Sequence, residues 1–182
     1  MKRSTRLGFQ RSWRRVLRTS TRPGREDGAA LYEFAMVLPV LSIMLVAIIY
    51  GGITFFNYVE LSNAVAVGAR TLGTTGRLQG TNACATANTA LTTAAGNLNA
   101  SQITIGTEAF ASGNTCTTAP VQGDAAVVSA VYPCNLPIPF TNINLCPLAN
   151  GGQITAAFSG APALVSCPYS HCISAATYVY IE

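Results

Sequence analysis

An uncharged segment of 26 residues, 34–59, constrains the fold of this chain more than any other feature. Its core, residues 35–56, would extend about 33 Å as an α-helix, and the hydrocarbon core of a bilayer is about 30 Å thick. The segment therefore predicts a membrane-spanning helix. A helix buried in a soluble core is disfavoured, because the rest of this 182-residue chain is too small to cover every face. Pro39, Gly51 and Gly52 would weaken a soluble helix, but a membrane helix tolerates them as kinks or packing points.

Positive charge is concentrated before this apolar segment. Residues 1–28 contain nine of the eleven Lys and Arg residues and have a net charge of +7, whereas the remaining residues have a net charge of −3. Because Lys and Arg are retained on the cytoplasmic side of a membrane, we predict a cytoplasmic N-terminus. The predicted organisation is a basic cytoplasmic leader at residues 1–28, a transmembrane helix at residues 29–57 and an extracytoplasmic domain at residues 58–182.

Three other interpretations of the basic leader fit the sequence less well. A nucleic-acid-binding domain would display its cations on a folded face, so no nucleic-acid partner is expected. An organelle transit peptide is also rich in Arg, Ser and Thr, but the long apolar run directly after the leader favours membrane insertion. An ordinary secretory signal has an apolar region of about 7–15 residues, which is shorter than this one.

A glycine followed by a single acid stands where the leader meets the apolar segment. If the chain is cut between Gly28 and Ala29, the new amine lies at position one and Glu33 at position five, an i, i+4 pair about 6 Å apart along a helix. Glu33 can then neutralise its own amine or that of a neighbouring subunit. In an uncut helix, Glu33 would instead stabilise the first turn near the lipid headgroups. The residues alone leave both readings open.

These residues resemble a known family. Gly28 with Glu33 and Phe34 resembles the type IV prepilin cleavage signature, and residues 27–41 resemble the start of TadE-like pseudopilins of the tight-adherence (Flp) pilus system. Members typically have the pattern Gly-x-Ala-x-x-Glu-Phe-Ala-x-x-x-Pro, which this chain matches at Gly28, Ala30, Glu33, Phe34, Ala35 and Pro39. Residues 63–70 resemble the family's small-residue element ending in Gly-Ala-Arg, and residues 173–182 are similar to its closing strand. No motif covers residues 78–170.

The resemblance implies a structural role in pilus assembly as a minor, pilin-like subunit of the bacterial inner membrane. It implies processing by a prepilin peptidase after Gly28, with Ala29, Glu33 and Phe34 completing the processing site. The implied partners are the membrane, the peptidase and other pilin or pseudopilin subunits. The peptidase cuts from the cytoplasmic side, which agrees with the orientation predicted from charge.

The rest of the chain predicts an α+β, pilin-like fold: a long N-terminal helix with a short second helix and a small antiparallel sheet. The long helix continues past the membrane, with Gly73 and Gly76 as its stop and with an apolar seam at Tyr58, Leu61, Val65, Gly68 and Leu72. The second helix is predicted at residues 84–98, with one face formed by Cys84, Ala87, Leu91, Ala94 and Leu98. Strands are predicted at residues 102–107, 125–132, 153–158 and 173–181, and loops at residues 133–139 and 146–152. We expect the chain's own sheet, rather than a neighbouring subunit, to cover the seam. The sheet and a neighbouring subunit can also cover different faces of the same helix.

Every cysteine follows the apolar segment. The six are Cys84, Cys116, Cys134, Cys146, Cys167 and Cys172. An even number confined to one side of a membrane predicts up to three disulfides formed outside the cytoplasm. Cys167 with Cys172 and Cys134 with Cys146 are the pairs that we expect, although the spacing leaves the pairing open. A zinc site at residues 167–172 with His171 is the rival, but structural zinc needs four ligands.

The sequence offers little for catalysis. His171 is the only histidine and has no Gly-x-Ser-x-Gly nucleophile motif to serve, and Glu108 and Asp124 share no apolar setting. We therefore expect a protein that is not an enzyme, with no catalytic residue, no metal, no cofactor and no small-molecule substrate. Two alternatives to the pilus subunit stay open: an uncut, membrane-anchored binding module with a disulfide-stapled head, and a secreted or imported protein that loses the apolar run.

Overall fold

The computed structural model describes the backbone of residues 25–75, 82–106, 109–112, 121–138, 143–155 and 163–182. The described residues form two helices, α1 and α2, one 3-10 turn and seven strands. The elements are α1 (Arg25–Thr75), α2 (Ala83–Ala94), the 3-10 turn (Ala100–Gln102), β1 (Thr104–Ile105), β2 (Ala109–Phe110), β3 (Ala125–Pro133), β4 (Leu148–Ala149), β5 (Gln153–Thr155), β6 (Ala163–Ser166) and β7 (His171–Tyr180). The chain divides into two compact units, Met1–Leu45 and Val46–Glu182. The α+β class predicted from the sequence is confirmed.

Helix α1 is longer than predicted at both ends. It begins at Arg25, upstream of Gly28, and runs through Pro39 to Thr75. Gly73 does not stop the helix, as the sequence suggested, but lies inside it. A Cβ at Gly73 would lie 2.8 Å from Cγ2 of Val179, so this glycine permits close packing of α1 against β7. Gly76, the other predicted stop, lies outside the described residues.

The predicted seam on the second half of α1 is buried, except at its first position. Leu61, Val65 and Leu72 have no exposed surface, whereas Tyr58 is 45% exposed. Their neighbours in the core come from α2 and from the sheet of the same chain. The expectation that the chain covers its own seam is therefore confirmed.

Helix α2 is held at its start by a side-chain cap. Oδ1 of Asn82 accepts a hydrogen bond from the backbone N–H of Ala85 at 3.1 Å, which satisfies one of the unpaired amides of the first turn. The helix ends at Ala94, four residues before the predicted end, although Leu98 is still buried in the core. A Cβ at Gly68 would lie 3.1 Å from Cβ of Leu91, so α1 and α2 approach each other closely.

The main sheet is antiparallel and has β3 and β7 at its centre. The order is β1-β3-β7-β4, and β2 also pairs with β3. The two long strands pair over their whole length, from Ala125 with Tyr180 to Pro133 with Cys172. Both were predicted within one or two residues of their bounds. The strand predicted at 102–107 is only Thr104–Ile105, and the loop predicted at 146–152 contains β4.

The strand predicted at residues 153–158 is present as β5 (Gln153–Thr155), and residues 156–158 lie outside the described residues. Its partner β6, and the second, two-stranded sheet that the two strands form, were not predicted from the sequence. Strands β5 and β6 pair antiparallel and cover the face of β3 that points away from the helices. Strand β3 is consequently buried on both faces. Val127 packs with Leu164 on one side, and Ala126 and Val128 belong to the helix-facing core on the other. Helices, main sheet and β5-β6 hairpin thus form three layers.

Candidate functional site

The first half of α1 is an uncovered apolar rod. Every described side chain from Gly28 to Tyr50 is exposed, and the helix has an 18-residue window of mean hydropathy 2.4 that is not buried at all. Side chains such as Leu31, Phe34 and Ile48 are 64–75% exposed. So large an apolar surface is not stable against water and marks a membrane or protein contact. Among the described residues, this is the one helix long and apolar enough to cross a membrane, and with the folded part after it the chain fits a single-pass membrane protein.

The residues of the predicted processing site lie together on the early turns of α1. Gly28, Ala29, Glu33 and Phe34 are all exposed. An ideal Cβ at Gly28 would have no heavy atom within 4 Å, so nothing in the described part of the fold requires glycine there. Because α1 begins at Arg25, Glu33 lies about two turns into the helix. Glu33 therefore does not cap the first turn of the uncut chain, as one reading of the sequence supposed.

The predicted transmembrane packing positions have open surroundings. Pro39 lies inside α1, and a Cβ at Gly51 or Gly52 would contact nothing within 4 Å. At Gly68 and Gly73, by contrast, a Cβ would lie only 3.1 Å and 2.8 Å from the nearest heavy atom. No contact among the described residues accounts for Gly51 and Gly52, so a role in packing against another helix stays a prediction.

The cysteines of the folded part are oxidised. The structure contains the two expected disulfides, Cys134–Cys146 and Cys167–Cys172. Cys84 is also disulfide-bonded, and Cys116 lies outside the described residues. Since Cys167 and Cys172 bond to each other, neither sulfur is available as the thiolate that the rival zinc site needs. No group of three His, Cys, Asp or Glu side chains that could hold a metal occurs within the ranges that the structure describes.

Asp124, which was considered for catalysis, and Glu60 both make hydrogen bonds within the fold. The carboxylate of Asp124 accepts hydrogen bonds from the backbone N–H of Ser112 at 3.0 Å and from its hydroxyl. The carboxylate of Glu60 accepts a hydrogen bond from Nδ2 of Asn97 at 3.1 Å, which ties the segment after α2 to α1. Glu108 lies outside the described residues. These bonds give Asp124 and Glu60 structural roles that the sequence did not reveal.

A small cleft separates α1 from one end of the main sheet. Its volume is about 170 Å³. The helix wall is one face of α1, and the sheet wall is formed by the end of β3 and the start of β7; the lining residues are Tyr50, Ile53, Thr54, Asn57, Pro133, Cys134, Asn135 and Ile173. Their side chains include no formal charge, so the cleft resembles neither a phosphate site nor an acid–base site. Sequence analysis missed it because the two parts of its sheet wall lie about 80 and about 120 residues after the helix wall in the chain.

A family model matches part of helix α1. Residues 28–70 match the family model described as TadE-like protein. Neither the curated proteins nor the solved structures contain a match to the chain. The matched range begins at Gly28 and ends at Arg70, so it lies wholly within α1 and contains both the exposed apolar half and most of the buried seam. Residues 28–70 are therefore similar to the TadE-like protein family.

Proposed function

We propose that this protein is a pseudopilin, a minor pilin-like structural subunit for assembly of a tight-adherence (Flp-type) pilus. The observation that carries the proposal is the TadE-like match over residues 28–70, a range that contains the uncovered apolar half of α1. A long helix with one apolar end and one end packed into a folded head can sit in a bilayer and can also pack against the same helix of another subunit. Other pilin or pseudopilin subunits are the proposed partners.

We propose that the helix crosses the bacterial inner membrane once, with residues 58–182 in the periplasm or outside. The nine Lys and Arg residues of the leader favour a cytoplasmic N-terminus. The disulfides Cys134–Cys146 and Cys167–Cys172 support the same orientation, because such bonds persist outside the reducing cytoplasm. Charge before the span and sulfur chemistry after it are independent observations, and both support one topology.

A prepilin peptidase is the proposed processing enzyme, with cleavage between Gly28 and Ala29. Gly28 is exposed and free of neighbours, so its identity as glycine is better explained by an enzyme's substrate pocket than by the fold. After cleavage, Ala29 would carry the new amine, and Glu33 would lie one helical turn away from it. The family is generally structural, and we propose no catalytic activity, cofactor or small-molecule substrate for this chain.

Replacement of Gly28 by leucine tests the processing step. We expect Gly28→Leu to leave the full-length chain in the membrane, whereas wild-type protein has Ala29 as its first residue. The matched control is Gly52→Leu, which changes another exposed glycine of α1 with no neighbour within 4 Å and should be processed normally. N-terminal sequencing and intact mass of membrane-extracted protein give the answer. Wild-type protein that still begins at Met1 or Lys2 would contradict cleavage.

A permanently anchored binding module is the second candidate. One observation favours it: α1 runs without a break from Arg25 through Gly28, so the proposed cut lies within regular helix and not in an extended segment. A peptidase would have to unwind this turn first. An intact leader on protein that is fully incorporated in the membrane would support the anchored module over the processed subunit.

A further inference from the structure

The strands of the head, by which we mean residues 58–182, run along α1. This arrangement determines which end of the sheet is nearer to the exposed apolar half of α1, residues 28–50. Ile173, at the start of β7, lines the cleft beside residues 50–57 of α1, whereas Val179, near the end of β7, packs at Gly73. The path from Asn57 to Gly73 is about 24 Å along a helix, and from Ile173 to Val179 it is about 20 Å along a strand. Both walls of the cleft lie in the unit Val46–Glu182.

If α1 crosses a bilayer, the end of the sheet near residues 50–57 is expected to lie close to the bilayer boundary. A bilayer core of about 30 Å is crossed by about 20 helical residues. Counted from Phe34, the first residue of the uncharged run, a span of this length ends near Ile53, and the apolar core 35–56 ends three residues later, so both ends fall within residues 50–57. Ile53 lines the cleft together with Pro133 and Cys134. The disulfide-closed loop that begins at Cys134 is therefore expected to start beside the last turn of the proposed span.

This loop, whose described residues are 134–138 and 143–146, has the chemistry of a lipid-facing element. No Asp, Glu, Lys or Arg occurs between Asp124 and Glu182, so the loop has no charge to desolvate. Ile143 and Leu145 are each 59% exposed. The opposite end of the sheet differs, because Asp124 and Glu182 lie there.

Four backbone N–H groups among the described loop residues are paired within the loop. The N–H of Ile138 donates to the carbonyl of Ile143 at 2.9 Å, and the N–H of Leu145 donates to the carbonyl of Leu136 at 3.0 Å. Oδ1 of Asn144 accepts from the N–H groups of Leu136 and Cys146, both at 3.1 Å. A backbone whose donors are paired internally can approach lipid without losing hydrogen bonds to water. The Cys134–Cys146 disulfide holds this arrangement closed.

We propose that the disulfide loop is a second membrane contact, in which Leu145 and Ile143 enter the boundary between lipid headgroups and acyl chains. The partner is the bilayer itself, approached from the same side as the head. Apolar side chains at this boundary lie about 5–10 Å deep in interfacial elements. The contact would fix the tilt and rotation of the head relative to the membrane. The inference rests on the membrane span of the proposed function.

Tryptophan fluorescence in vesicles tests the contact. Trp13 is the only tryptophan, so a Trp13→Phe background allows single-tryptophan variants of the full chain. Leu145→Trp reports on the loop, Ile48→Trp on the span, and Val121→Trp is the control. Val121 has the same exposure as Leu145, 59%, and lies next to Asp124 at the other end of the sheet. Each variant is reconstituted in phosphatidylcholine vesicles with or without brominated acyl chains, which quench tryptophan on contact.

The proposal predicts that brominated lipid quenches Ile48→Trp and Leu145→Trp, with a blue-shifted emission for both, and leaves Val121→Trp unchanged. Quenching of Ile48→Trp without quenching of Leu145→Trp would overturn the loop contact and leave the span intact. Absence of quenching at Ile48→Trp would overturn the span and the loop contact together. A blue shift of Leu145→Trp without quenching would assign the loop to another protein copy and also overturn the proposal. Equal quenching of Leu145→Trp and Val121→Trp would overturn it as well.

Discussion

The glycines of α1 differ in how closely atoms of other elements approach them, and this difference is visible only at the scale of single residues. A Cβ at Gly73 would lie 2.8 Å from Cγ2 of Val179 and 3.1 Å from the backbone oxygen of Tyr180. The backbone oxygen cannot turn aside as a long side chain can. Gly52 has no such neighbour. From the sequence both were glycines in an apolar helix, and Gly73 was misread as a stop, because the strand that it contacts lies more than 100 residues later.

Replacement of Gly73 therefore has a predictable effect on stability. We expect Gly73→Leu to lower the free energy of unfolding of the head by about 1–3 kcal/mol, because overpacking against β7 outweighs the gain in helix propensity. Gly52→Leu, the same change in open space, should leave head stability unchanged. Thermal unfolding in detergent, followed by the near-ultraviolet circular dichroism of the tyrosines, compares the two variants. Equal midpoints would contradict the close packing at Gly73.

At the scale of elements, long patterns were predictable and short ones were not. The 3-4 spacing of Leu61, Val65 and Leu72 predicts the buried face of α1, and the alternation in β7 predicts that Ile173 and Ile181 point to the core. Strands β1, β2 and β4 have two residues each. Two residues carry no periodicity, and these strands exist only because β3 or β7 offers partners from distant parts of the chain. The strand predicted at residues 153–158 corresponds to β5, but its partner β6 and their separate sheet were not predicted, because β3, buried on both faces, reads as a simple apolar run that does not reveal a second layer.

The disulfide between Cys134 and Cys146 is expected to stabilise the head by restricting the unfolded chain. For a loop with a sequence separation of 12 residues, chain entropy predicts about 3 kcal/mol. Cys134→Ala with Cys146→Ala should lower the free energy of unfolding by about that amount. Denaturant unfolding of the oxidised variant and of the wild type measures the difference. Wild-type protein with every disulfide reduced must be at least as unstable as the variant; the reverse order would contradict the entropic explanation.

On the scale of the whole molecule, the sequence predicts how the chain is divided into segments, and the structure shows how the elements of the folded part pack. Charge asymmetry and the apolar run predict a leader, a span and a head, and α1 links the apolar run to the head in one helix, Arg25–Thr75. The processing role predicted for Gly28 and Glu33 rests on a family signature, because no packing contact among the described residues requires glycine at position 28. The cleft beside Ile53 could not be foreseen, since its walls meet only after β3 and β7 pair.

Orientation in the membrane should follow from the arginines nearest the span. The positive-inside bias is set by Lys and Arg within about 15–20 residues of a span. On the N-terminal side these are five arginines, and on the C-terminal side two: Arg14, Arg15, Arg18, Arg22 and Arg25, against Arg70 and Arg77. Changing residues 14, 15, 18 and 22 to serine leaves one arginine against two, so we expect a fraction of chains to insert with the head in the cytoplasm. There the cysteines stay reduced. Denatured extracts treated with a maleimide mass tag, without reductant, should therefore be labelled in the serine variant and not in the wild type. Lysine at the same four positions keeps the charge and should behave as wild type. Labelling of the lysine variant would contradict a charge effect. Oxidised cysteines in the serine variant would show that features other than these charges set the topology.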